Sequence, residues 1–73
     1  MEFQIPIWNL NSQRERDALS WAGRGKTVAE TADILNISEG TVETHIKRAL
    51  EKLNVSNKTH AVAKAITLGV IDV

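Results

Sequence analysis

Between Glu39 and Leu53 the apolar residues Val42, Ile46, Ala49, Leu50 and Leu53 recur at three- and four-residue steps. That spacing lines side chains along one face of an α-helix, whereas a half-buried strand would need strict alternation. Ser38 stands just before this run and can accept from a free backbone N–H of the first turn, while Asn54-Val55-Ser56-Asn57 breaks the pattern at its end. A single amphipathic rod over 39–53 is therefore the strongest element in the chain.

The same punctuation marks three more helices. Ser12-Gln13-Arg14-Glu15 has the capping-box form, in which the hydroxyl accepts from the backbone three residues on and the carboxylate reaches back. A first helix should start there, with Ala18, Leu19 and Ala22 on its apolar face, Trp21 at the edge, a charged outer face, and Gly23 and Gly25 ending it. Thr27-Val28-Ala29-Glu30 repeats the box, so a short second helix should present Val28, Ala29, Ala32 and Leu35 and close at Asn36 in the left-handed conformation. Ile37 is expected to plug the corner before Ser38. Asn57 caps a fourth helix carrying Ala61, Val62, Ala65, Ile66 and Leu68 and ended by Gly69, after which Val70 and Ile71 fold back. Met1 to Asn11, with Pro6 and no helical repeat, reads as an extended lead-in whose Trp8 packs on the domain. The expectation is an all-α fold: a lead-in over 1–11 and one domain over 12–73, a four-helix bundle with a central helix-turn-helix.

Size leaves no room for a second core, since 73 residues lie near the length at which one core becomes marginal. With no cysteine there is neither a disulfide framework nor a thiolate metal site, so apolar packing alone must hold the fold, which suits a reducing cytoplasm. No apolar run approaches the roughly 20 residues needed to span a bilayer, and no basic region followed by an apolar stretch marks a secretory signal. An enzyme fails on inventory. His45 and His60 are far apart, and no paired carboxylates or glycine-rich phosphate loop accompany them, so neither a catalytic constellation nor a cofactor is expected.

Charge is divided along the chain. Lys+Arg and Asp+Glu are each nine, but residues 1–44 hold four bases against seven acids, a net of −3, and residues 45–73 hold five against two, a net of +3. That gradient fits a local anionic partner.

Two helices joined by a three- or four-residue turn make a rigid corner whose second helix can enter the roughly 12 Å wide major groove of DNA. Setting residues at about 100° intervals places Gly40, Thr44, Lys47, Arg48 and Glu51 opposite the apolar stripe. Gly40 permits close approach to the groove wall. Thr44, Lys47 and Arg48 are the expected base readers, because cations donate to guanine acceptors and threonine offers a methyl or hydroxyl. Ser38, Thr41, His45 and Lys52 at the margins, with Thr27 at the second capped start, are the expected backbone contacts. Glu43 either accepts from a cytosine amino group or pairs with Lys47 at i+4, and the internal pair is the expectation. The competing reading for all of these is a solvated face.

Taken together, Ser12-Gln13-Arg14-Glu15-Arg16, Gly25-Lys26-Thr27, Ile34-Leu35, Ile37-Ser38, Thr41-Val42, His45, Lys52-Leu53-Asn54-Val55 and Ala61-Val62-Ala63 resemble the LuxR-type helix-turn-helix signature, from about Asn11 to Ile71. The resemblance implies a transcriptional regulator whose third helix reads double-stranded DNA and whose fourth pairs two protomers on a palindromic site. It implies Glu43, Thr44 and Lys47 as base-facing and Thr41, His45 and Lys52 near backbone contacts. Trp21 with Gly25-Lys26-Thr27 resembles the quorum-sensing branch. Glu43 stands where a basic residue is common in some branches, and Asn11 where an apolar residue is usual. Family members commonly carry an N-terminal sensory domain, so the chain is expected to be an excised output domain or a stand-alone regulator. For the two-fold seam the fourth helix offers Lys58, Ala61, Val62, Ala65 and Ile66, with Val62 and Ile66 expected to complete the monomer core instead. The rival partner is protein: pairing with another LuxR-type regulator through helix four, which zero net charge and Glu43 favour.

Overall fold

The computed structural model describes residues 13–72, and comprises α1 (Gln13–Gly23), α2 (Val28–Leu35), α3 (Glu39–Leu53) and α4 (Lys58–Thr67), with no strand among the described residues. The lead-in, Trp8 and the capping role of Ser12 lie outside them. The three interior starts are capped as their residue types dictate. Thr27 Oγ1 accepts from Glu30 N–H at 3.1 Å while Glu30 Oε1 accepts from Thr27 N–H at 2.8 Å, a complete capping box. Ser38 Oγ accepts from Thr41 N–H at 3.1 Å, and Asn57 Oδ1 from His60 N–H at 2.8 Å.

All four helices stop by one device. Gly25, Asn36, Asn54 and Gly69 have positive φ of 89°, 58°, 58° and 74°, and the residue after each donates its N–H back to the carbonyl five residues earlier: Lys26 to Trp21, Ile37 to Ala32, Val55 to Leu50 and Val70 to Ala65. This left-handed terminator satisfies carbonyls that the last turn would otherwise leave open. In three of the four the donor is apolar, so Ile37, Val55 and Val70 turn inward and pack on the core. The chain therefore reverses abruptly after each helix, and the whole domain is built from short rods and sharp corners.

Helix α3 is the axis of the fold: it packs against α1, α2 and α4, whereas α2 and α4 do not meet. Its stripe is buried at Val42, Ala49 and Leu53, with Ile46 and Leu50 half-buried. Leu19, Ala49, Leu53, Ala61, Ala65 and Ile71 form the larger core cluster; Ala18, Ala32 and Val42 form a second, and Ile46 packs against both. Ile71 folds back as expected, and Ser20 Oγ donates to the Asp72 carbonyl at 3.4 Å.

Three expectations are corrected, and Glu15, expected to cap the start of α1, is found buried at the α1 edge that meets α3. On α2 it is Thr31 with Ala32 that is buried, while Ala29 is exposed, since contact with α3 rotates the inner face by one side chain. Ile66 is 43% exposed instead of completing the core, and Leu68, one residue beyond α4, is 48% exposed. Ala61 and Ala65 have no accessible surface and cannot supply a two-fold seam; their small side chains are what lets α4 press against α1 and α3.

Candidate nucleic-acid interface

The corner between α2 and α3 is Asn36-Ile37-Ser38. Left-handed Asn36 turns the backbone, Ile37 anchors it in the α2 cluster, and Ser38 starts α3 at once. Both helices share the second cluster through Ala32 and Val42, which makes the corner rigid and leaves the opposite side of α3 bare. Gly40, Thr41, Glu43, Thr44, Lys47, Arg48 and Glu51 are all exposed there.

Detailed hydrogen bonding refines what each side chain offers. Thr44 Oγ1 donates to the Gly40 carbonyl at 3.0 Å, so its remaining capacity is as an acceptor together with its methyl group. Ser38 Oγ and Thr41 Oγ1 are 2.8 Å apart, one hydroxyl donating to the other at the N-terminus of α3. Thr27 is an exposed hydroxyl at the start of α2, already accepting from its helix and so able to donate outward. Among the described residues neither Lys47 nor Arg48 is in an ion pair, so both cations are free to meet an anion. Among the described residues, and apart from its own turn of helix, a Cβ added to Gly40 would meet nothing nearer than Ser38 Oγ at 4.0 Å. The fold itself therefore does not require glycine at this position.

Three of the expected side chains are constrained by the domain itself. Lys52, expected at the DNA backbone, has its ammonium 2.5 Å from Glu15 Oε1, which it serves as counter-ion. A buried carboxylate demands a cation, and Lys52 is the one α3 brings to it. His45 is half-buried and its Nδ1 is enclosed without a hydrogen-bond partner, so only its outer edge can reach a phosphate. The Glu43–Lys47 pair is not formed among the described residues. An exposed pair of this kind gains about 0–1 kcal/mol, and the two stems instead line an apolar groove with Val28, Ile46, Leu50 and Lys58, in the gap that α2 and α4 leave above α3. On α4, Lys58 and Ile66 are exposed and Val62 is half-buried; Val62 and Lys58 border a shallow cleft with Ala22, Gly23 and Thr59.

Two features that sequence reasoning missed hold α3 in place. One is Glu15, whose place at i−3 and i−4 from Ala18 and Leu19 puts an acid on an apolar stripe and was a legible sign of burial. The other is Lys64 Nζ, which donates to the Leu53 carbonyl at 2.8 Å and satisfies the C-terminus of α3 from α4.

The profile of the luxR family of bacterial regulatory proteins matches residues 10–65. The chain belongs to the luxR family. This luxR-family domain is 51% identical over 66 residues to the HTH-type quorum sensing-dependent transcriptional regulator VjbR of Brucella ovis, covering 90% of this chain and 26% of VjbR. It is 49% identical over 63 residues to the similarly described RpaR of Rhodopseudomonas palustris, covering 86% of this chain and 26% of RpaR. The chain thus spans about a quarter of the length of these relatives. The solved structure of the transcription factor GerE superposes with a TM-score of 0.81 at 28% identity, over 93% of this chain and 97% of that one. The expected likeness to the quorum-sensing branch thus agrees with the relatives' own descriptions, and the four-helix luxR-family fold agrees with GerE.

Proposed function

We propose that this luxR-family domain binds double-stranded DNA sequence-specifically as the output module of a cytoplasmic transcriptional regulator, with α3 in the major groove. The observation that carries the reading is the bare side of α3, where Thr44, Lys47 and Arg48 stand exposed behind a three-residue corner and the two cations are unpaired among the described residues. Lys47 and Arg48 supply donors to guanine edges or phosphates, and Glu43 and Thr44 supply acceptors. Thr27, Ser38, Thr41 and the outer edge of His45 meet the sugar-phosphate backbone and set the register. Dimerisation on a palindromic site runs along α4 through Lys58, Val62 and Ile66. The relatives' descriptions as transcriptional regulators support the assignment.

Zero net charge favours a second reading, a protein-only adaptor that pairs with another regulator. Binding to duplexes selected from a random pool, measured across a salt series, separates the two. A DNA reader loses affinity linearly in log salt with a slope near −0.9 per phosphate neutralised. An adaptor retains no duplex at any salt.

A further inference from the structure

The carboxylate of Glu43 is a charged acceptor on the DNA-facing side of α3 that no cation engages among the described residues. It is exposed, lies in the first half of the helix, where base edges are read, and is in no ion pair among the described residues even though Lys47 follows it at i+4. Resting on the DNA-binding reading above, we propose that Glu43 selects a C·G base pair by accepting a hydrogen bond from the cytosine N4 amino group.

The argument turns on what each base offers in the major groove. Guanine presents N7 and O6, and thymine O4, all acceptors that repel a carboxylate. Adenine presents an N6 donor, but its N7 acceptor stands beside it and faces the second carboxylate oxygen. Cytosine alone presents a donor with no neighbouring acceptor. An acid on a DNA-facing helix would normally be pushed away by phosphates. Here Glu43 shares its groove with Lys47 and Lys58, so the local formal charge is net positive and offsets that repulsion. Lys47, one turn on, remains available to the guanine of the same or the adjacent pair.

The test uses the 73-residue chain and its Glu43→Gln and Glu43→Ala variants, each selecting duplexes from one randomised pool, with circular dichroism as the fold control. The wild type is expected to retain duplexes with an invariant cytosine at one position of the bound site, discriminated by roughly 5- to 100-fold. Glu43→Gln should transfer that preference to adenine, which a carboxamide contacts through N6 and N7, and Glu43→Ala should relax that position alone. Identical base preferences at every position in all three proteins would overturn the assignment of Glu43 while leaving DNA binding intact. Retention of no duplex by the wild type would overturn DNA binding, and this inference with it.

Discussion

Glu15 Oε1 lies 2.5 Å from Lys52 Nζ, joining the first turn of α1 to the last turn of α3 through a carboxylate with 9% of its side chain exposed. No hydrogen bond of favourable angle satisfies that oxygen among the described residues, so the lysine is its main compensation. Glu15→Ala should destabilise the domain by about 1–3 kcal/mol, since it removes the carboxylate that the Lys52 ammonium meets at the α1–α3 contact. Replacing both groups, as Glu15→Leu with Lys52→Met, should restore most of that stability. Urea unfolding of the three proteins tests this. Because Lys52 is engaged by Glu15, the double variant should also keep the wild-type salt slope on DNA; a slope smaller by about 0.9 would mean that Lys52 neutralises a phosphate after all.

Gly40 is the residue whose presence the fold does not explain, because space for a Cβ exists and the backbone there is ordinary helix. Gly40→Ala should raise stability by about 0.5–1 kcal/mol. The same substitution should weaken DNA binding, as the added methyl holds α3 off the groove wall. Thermal melts and electrophoretic shifts should thus move in opposite directions. A stabilised variant with unchanged affinity would show that α3 does not approach DNA at its N-terminus.

Lys47→Ala and Arg48→Ala should each weaken binding to a selected duplex without unfolding the domain, because both side chains are exposed and unpaired among the described residues. Loss of a base contact costs about 1–3 kcal/mol and relaxes one position of the site, whereas loss of a phosphate contact lowers affinity uniformly and reduces the salt slope by about 1. Competition against single-base variants of the duplex distinguishes the two roles.

Glu30 makes the start of α2 sensitive to pH. The Thr27 N–H hydrogen bond, helped by the Thr27 hydroxyl and the Lys26 charge, holds its carboxyl below the usual range despite a smaller opposing contribution from burial. A carboxyl depressed in the folded state adds stability that is present above its ordinary value and lost as pH falls through the folded value. Acidification below the ordinary glutamate range should therefore loosen the start of α2. Glu30→Gln, which keeps the capping geometry without a charge, should flatten that part of the stability profile in pH-dependent melts. A profile equally steep in the variant would place the dependence on another carboxylate.

Much of the candidate interface was legible from the chain because helix ends are local chemistry. The box formed by Thr27 and Glu30, the caps at Ser38 and Asn57 and the left-handed Asn36 involve partners within one turn, and the outer face of α3 follows from its spacing. Asn54 plays the same part as Asn36 at the end of α3, yet reads in sequence only as a break in the apolar pattern. Thr31 shows the limit of the apolar criterion, since a threonine took an inner place beside Ala32 while Ala29 faced outward.

What the linear order of residues determined was four short helices, their corners and the exposed flank of the third. Tertiary packing alone decided that Lys52 answers Glu15, that Ala61 and Ala65 vanish into the core, and that Glu43 and Lys47 lie along a groove without pairing. Caps and terminators are closed by hydrogen bonds to residues a few positions away, so sequence spacing fixes them. Counter-ions and burial depend on which helices meet, and those distances exist only once α1, α2 and α4 have closed around α3.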